Sequence, residues 1–397
     1  MDAATLSAER RRRVWLNARD ADVDIFKAQV AKQTNAAEWP FAAEIQNNVP
    51  IYDGREIGRL ANDAEMRLEL MAEWVVAFDT GPGVIVIKAA MADEGIVDKA
   101  TAVFEQLVEL QRREGSGGGD HFAKPGTNDR IWNLLEKHCL ADPDNFARYY
   151  ASDAIAMVAD SWLGRGYQMT AQMNRVNPGG KAQQPHRDYH LGFMTPDQMQ
   201  FFPGHIHRIS PVLTLQGAIA HCDMPVESGP TLFLPYSQIF FEGYLAFGRP
   251  EFQTHFADHH VQLPLEKGDA LFFNPALMHG AGDNATSDIH RMANLLQVSS
   301  PFGRSMESVD RSRMANALYP ALQAVLVEGS LSQREVDNAI AACAEGYAFP
   351  TNLDRDPPIG GLAPRTQADR MREALAQQMD PQEFTSEMAK YDERRTP

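Results

Sequence analysis

The segment Gln183-Gln184-Pro185-His186-Arg187-Asp188-Tyr189-His190 places an imidazole and a carboxylate two residues apart. On an extended chain, residues i and i+2 face the same side. His186 and Asp188 can therefore reach one metal ion together. Far downstream, Asn274-Pro275-Ala276-Leu277-Met278-His279-Gly280 supplies a further histidine, just after the apolar run Ala270 to Phe273. Two histidines and a carboxylate fill one face of an octahedron and leave the other positions open. This is the facial triad of non-haem Fe(II) oxygenases. Arg291 then opens an apolar stretch that runs to Ser299. An arginine inside a barrel needs an anionic partner, because an unpaired buried charge is very costly. A dicarboxylate such as 2-oxoglutarate would supply it. One carboxylate and the keto oxygen would chelate the metal, and the distal carboxylate would enter a bidentate fork on Arg291.

Other readings of these residues compete. His186-Arg187-Asp188 mimics a kinase catalytic loop, but Phe193 stands where that loop needs Asn, and no Gly-rich loop or DFG exists. The same His/Asp/His set could hold zinc or manganese in a cupin-like hydrolase or isomerase. A non-catalytic binding barrel is the third possibility. His205 and His207 form an HxH pair without a carboxylate. His221, at a strand end, reads as structural, and His259-His260 as solvent-exposed.

Elements must position these side chains. Short apolar runs separated by turns occupy Met169 to Val176, Val212 to His221, Thr231 to Leu234, Val261 to Leu263, Ala270 to Phe273 and Met292 to Ser299. Many short strands at close spacing predict a sandwich or barrel. Val84 to Ile87 is a further buried strand. It is followed by an amphipathic helix carrying Ile96, Ala100, Val103, Phe104, Leu107 and Leu110, and then by the flexible loop Gly115 to Gly119. Residues 1–69 read as a helical, irregular N-terminal extension, with Ser7 capping a first helix and Asp20 to Val30 forming a second. A helix is expected from Asp63 to Phe78. After Pro301 the pattern turns helical again. Ser332-Gln333-Arg334-Glu335 is a capping box, and Thr366 caps a later helix running to about Met379.

The stretch Gln183 to Asp188, then Glu227-Ser228-Gly229-Pro230-Thr231-Leu232-Phe233-Leu234-Pro235, then Lys267-Gly268-Asp269 through His279 to Arg291, resembles the phytanoyl-CoA dioxygenase family. The entry at Gly83 to Arg113 is similar to that family's usual start. The resemblance covers roughly residues 70–305. It implies a mainly β core, a double-stranded β-helix (jelly roll, cupin-like), with flanking α-helices and helical extensions at 1–69 and 306–397. It also implies an Fe(II)/2-oxoglutarate-dependent dioxygenase. Such an enzyme consumes O2, releases succinate and CO2, and oxidises a C–H bond of a small molecule, with ascorbate as an accessory reductant. His186, Asp188 and His279 carry over as metal ligands and Arg291 as the co-substrate clamp. Gln184 and Thr231 carry over as further co-substrate contacts. Ala293 stands where many relatives place Ser or Thr, so another residue must complete the carboxylate site. Arg187, Tyr189, His190 and Phe193 are expected to shape the substrate mouth. Relatives that transfer halide replace the metal carboxylate with a small residue. Asp188 therefore points to hydroxylation or a related oxidation.

The 397 residues carry a net charge of −16. That balance excludes a general nucleic-acid binder, which needs a basic face, and argues against docking on anionic lipid. No apolar run is long enough to cross a bilayer. The N-terminal run Arg10 to Arg13 reads as a solvated helix face. Cys139, Cys222 and Cys343 form no CxxC pair and read as mostly buried thiols in a reducing compartment. With no apolar leader at the start of the sequence, a cytoplasmic enzyme is expected, with the helical extensions as a possible homodimer contact.

Overall fold

The computed structural model describes residues 3–114, 127–188 and 194–396. The strands among them are β1 (Glu44–Gln46), β2 (Val49–Asp53), β3 (Val84–Lys88), β4 (Asn128–Ile131), β5 (Gln168–Val176), β6 (Thr214–Ala220), β7 (Leu232–Phe233), β8 (Val261–Gln262), β9 (Ala270–Phe273), β10 (His279–Gly280) and β11 (Arg291–Ser299). One large mixed sheet has the order β1-β2-β3-β9-β6-β11-β5-β4, and a small sheet has the order β10-β7-β8. β2 and β3 run parallel. The other pairs, from β1·β2 to β7·β8, are antiparallel.

Period-two alternation gives the large sheet two different faces. Met169, Ala171, Met173, Leu215, Ile219, Leu296 and Val298 turn to one side and join the largest apolar core. Helices cover that side. They include Ala64–Asp79, Glu94–Arg113, Pro143–Tyr150, Arg311–Glu328 and Gln333–Cys343, and they bring in Trp74, Phe78, Phe104, Phe146 and Tyr319, all fully buried. Burying each such side chain is worth about 1.5–3 kcal/mol. This core extends without a break from Trp39 to Met388, so the C-terminal helices share it with the sheet. On the other side of the sheet, Val84, Val86, Ala218, Leu271 and Phe273 pack with Phe233, Leu263 and Leu277 around the small sheet. A cavity opens on this second face.

The expected strands recur with boundaries moved by a few residues. β5, β6 and β11 are the longest. Ser332 and Thr366 both close capping boxes, before Gln333–Cys343 and Gln367–Ala376. Three expectations are corrected. Residues 1–69 are not wholly helical, because β1 and β2 add to the large sheet, with Val49 to Tyr52 fully buried. Pro50 does not interrupt β2, because Pro is tolerated toward a sheet edge. Ser7 lies inside the first helix, Ala3–Val14, and does not cap it. β4 was not expected, because Asn128-Asp129-Arg130-Ile131 lacks apolar alternation. The loop Gly115 to Gly119, and with it Tyr189, His190 and Phe193, lies outside the described residues.

Candidate metal centre and its cavity

The chain around His186 runs antiparallel to the chain around His279 without a full ladder. His186 and His279 face each other in an isolated bridge. The His186 N–H donates to the His279 carbonyl at 2.9 Å, and the His279 N–H returns to the His186 carbonyl at 3.0 Å. The Asp188 N–H donates to the Pro275 carbonyl at 3.0 Å. Main-chain bonds thus fix the relative position of all three candidate ligands, which lie far apart in sequence. A tight turn supports this pairing. Gly268 has φ of +89°, and a Cβ there would meet the Met91 carbonyl at 2.8 Å. Beside it, Asp269 accepts from Lys88 Nζ at 2.6 Å, the Ala89 N–H at 2.8 Å and the Glu266 N–H at 2.7 Å. The Lys267-Gly268-Asp269 motif is therefore a clamp that holds β9 against β3.

Each ligand imidazole is tied through Nδ1. His186 Nδ1 lies 2.9 Å from the Gln184 carbonyl, and His279 Nδ1 lies 2.8 Å from the Leu277 carbonyl. A carbonyl only accepts, so Nδ1 carries the proton and Nε2 presents a lone pair. The two Nε2 atoms stand 3.6 and 3.7 Å from the Asp188 carboxylate oxygens. One ligand atom from each of the three residues lies within 4.8 Å of the others. Electron-rich atoms without a hydrogen between them repel, and a cation at their centre removes that repulsion. Burial alone would raise the Asp188 pKa. His279 and His186, in their protonated forms, and the Gln216 amide outweigh it and hold the carboxyl well below the usual range. Burial, then the neighbouring His279, lowers the pKa of His186 against the pull of Asp188. Both groups are thus deprotonated at neutral pH, as metal ligation requires.

Several neighbours orient this set. Gln216, in the middle of β6, donates its Nε2 to Asp188. Tyr244 donates its hydroxyl to the Asp188 carbonyl at 2.9 Å. Arg187 projects away from its two neighbours. Its buried guanidinium donates to the Phe240 and Ser237 carbonyls and lies over the Tyr244 ring. Any Cβ at Gly243 would collide with that guanidinium. Arg187 therefore anchors the segment. It borders the cavity, but its charge is spent on these carbonyls rather than on the mouth.

The cavity measures about 810 Å³. His186, Asp188, His279, Arg291, Gln184 and Thr231 all border it, together with Asn174, Gln216, Gln297, Leu295, Phe273 and Met306. Arg291 is 7 % exposed, and its Nη1 is buried with no hydrogen-bond partner. Burial draws its pKa down to about 10. No acidic side chain pairs with it among the described residues, so an anion entering the cavity would meet an uncompensated charge. Thr231 is half-buried and Gln184 exposed.

Among the described residues, the other histidines that the sequence singles out stand apart from this set. His221 is buried between Thr101 Oγ1 at 2.8 Å and the Tyr149 hydroxyl at 2.9 Å. His205 faces solvent while His207 is buried, because two residues along the helix Gly204–Val212 point to different sides. They make no joint site. His259 is exposed and His260 half-buried. The sequence reading missed Gln216, Gln297, Tyr244 and the anchoring role of Arg187. A glutamine in the middle of the fully buried strand Thr214–Ala220 was the available signal for Gln216.

Residues 68–293 match the family model of phytanoyl-CoA dioxygenase (PhyH). That is more than half of the chain, and the chain belongs to this family. Iron with 2-oxoglutarate is the cofactor pairing of such enzymes, and the donor set and the unpaired Arg291 fit it. No curated protein matches the sequence. Among solved structures, the chain is similar to the non-haem α-ketoglutarate-dependent epimerase SnoN from nogalamycin biosynthesis. That match has 21 % identity, covers 60 % of this chain and 84 % of that one, and has a TM-score of 0.39. The carbocyclase SnoK from the same biosynthesis gives 20 %, 59 %, 87 % and 0.40. EctD from S. alaskensis with bound Fe gives 19 %, 59 %, 79 % and 0.43. No helix among the described residues is long and apolar enough to cross a membrane.

Proposed function

We propose that the chain is an Fe(II)/2-oxoglutarate-dependent oxygenase that hydroxylates, or otherwise oxidises, a C–H bond of a small-molecule substrate. One observation carries this reading: a hydrogen-free His/Asp/His donor set and an unpaired buried arginine border the same cavity. His186, Asp188 and His279 would hold the metal, and Arg291 the distal carboxylate of 2-oxoglutarate. When bound, the pair supplies the oxidising power: 2-oxoglutarate loses CO2 to give succinate, and dioxygen contributes one oxygen atom to succinate and one to the substrate.

This chain's residues do the positioning. The carbonyls of Gln184 and Leu277 fix the imidazole tautomers. Gln216 orients the carboxylate. Apolar walls of Leu295, Phe273 and Met306 exclude water. Thr231 and Gln184 are assigned to the co-substrate, with Thr231 in place of the hydroxyl missing at Ala293. Tyr189, His190 and Phe193 are assigned to the substrate side from their position in the sequence. The strands β3 to β11 are read as a double-stranded β-helix within 70–305, flanked by extensions at 1–69, which add β1 and β2 to the large sheet, and at 306–397. Helical dimerisation and a reducing cytoplasmic setting complete the proposal, the latter consistent with Cys139, Cys222 and Cys343 all being free.

A zinc or manganese hydrolase would use the same three ligands but has no need of a buried arginine without a partner. The discriminating experiment supplies the purified chain with 2-oxoglutarate, ascorbate and air, with Fe(II), Zn(II) or no metal. Succinate should form with Fe(II) alone. Its absence under every condition would favour the hydrolase or the binding barrel.

A further inference from the structure

The cavity carries more polar groups than metal and co-substrate use. Gln216 is 3 % exposed. Its Nε2 donates both to Asp188 and, at 3.2 Å, to Gln297 Oε1. An ionised carboxylate only accepts, so turning this amide round would set oxygen against oxygen. The polarity of Gln216 is therefore fixed, and its Oε1 is left buried with no partner. The same logic fixes Gln297. Its Oε1 faces Gln216, so its Nε2 is the end left toward the cavity, on a half-buried side chain. The two residues lie directly opposite each other on β6 and β11, and both border the cavity. Asn174 on β5 adds another buried, unpartnered amide oxygen to the same wall.

Buried polar atoms in native proteins are matched by protein, water or ligand. A buried acceptor without a partner, beside an amide donor at the cavity wall and one side chain from Asp188, is a template. We propose that the Gln216–Gln297 amide pair recognises the substrate, which carries an uncharged group that both donates and accepts a hydrogen bond, a hydroxyl or a carboxamide, close to the carbon that is oxidised. This deepens the oxygenase reading and rests on it for the word substrate. A carboxylate cannot donate to Gln216 Oε1, and both it and a phosphate would be repelled by Asp188. An ammonium cannot accept from Gln297 Nε2. Met194, Met199, Leu295 and Met306 on the same cavity suit an apolar remainder.

The test is a binding panel on the full-length chain with Mn(II) and 2-oxoglutarate, read by calorimetry. The probes are octanamide, 1,2-octanediol, methyl octanoate and octanoate. The amide and the diol should bind at least about tenfold tighter than the ester and the carboxylate. Gln297→Leu should shrink that preference to within about threefold. Gln297→Glu keeps the acceptor for Gln216 and removes the donor, so it should do the same if the leucine variant fails to fold. Octanoate or methyl octanoate binding as tightly as octanamide to the wild-type chain would overturn the proposal. Repeating the panel without metal and co-substrate separates the two readings. Failure to take up Mn(II) or 2-oxoglutarate counts against the oxygenase reading, while the probe ranking still decides the recognition site.

Discussion

Replacing Arg291 with methionine should stabilise the empty protein while destroying its response to 2-oxoglutarate. The Arg291 guanidinium is buried, and its Nη1 has no partner. Burial draws its pKa from 12.5 to about 10. Each pH unit of such a difference is worth about 1.4 kcal/mol, so holding the charge there costs the empty protein about 3 kcal/mol. At pH 7 the arginine is charged in both folded and unfolded chains, and the whole cost is present. Methionine keeps an unbranched apolar stem and removes the charge. After a discount for lost packing, Arg291→Met should gain about 1–3 kcal/mol, as buried charges replaced by apolar groups often do. 2-Oxoglutarate with Mn(II) should raise the unfolding midpoint of the wild type and leave the variant unmoved, because affinity falls by about 100-fold or more when one partner of a buried charge pair is lost. Urea unfolding with and without co-substrate measures both quantities. A variant less stable than wild type by over about 1 kcal/mol, or one still stabilised by 2-oxoglutarate, would refute the assignment.

Three further outcomes are expected. His279→Ala should lower Mn(II) affinity by at least about 100-fold, measured by electron paramagnetic resonance of free Mn(II), because the remaining pair chelates poorly. Gly243→Ala should cost about 1–3 kcal/mol through overpacking against the Arg187 guanidinium, and Arg187→Met in the same chain should recover much of it, a coupling that a double-mutant cycle of unfolding free energies reads directly. Stability should also fall with acid. Burial first, with His138 adding to it, lowers His221 to about 3, while burial lowers His138 to about 4. The unfolded imidazoles take up protons near 6.5 and the folded ones do not. Unfolding therefore binds protons from pH 6.5 downward, and about 2 kcal/mol per histidine is lost by pH 5. His221→Gln should flatten the dependence of the urea midpoint on pH.

The ligand set was readable because its logic is local. His186 and Asp188 share a face through the two-residue strand period, and His279 and Arg291 sit at the ends of apolar strands. β5, β9 and β11 were legible for the same reason, as β-branched and apolar runs between turns. What the sequence hid is tertiary. β1 and β2 are strands because β3 offers an edge, and Pro50 masked them. β4 carries three polar residues and pairs only because β5 presents a free edge. Arg187 reads as a mouth residue until the carbonyls of Ser237 and Phe240 are known to surround it. Gln216 and Gln297 acquire meaning only when the register sets them opposite each other.

The central claim is that this cavity couples 2-oxoglutarate to oxygen at a metal held by His186, Asp188 and His279. Its most direct test follows O2 uptake and succinate release together in the purified chain, wild type beside His279→Ala. The account predicts equal amounts of the two, dependent on Fe(II) and lost in the variant. Succinate formation that survives in His279→Ala, or a wild type that takes up no O2 with Fe(II) and 2-oxoglutarate, would contradict it.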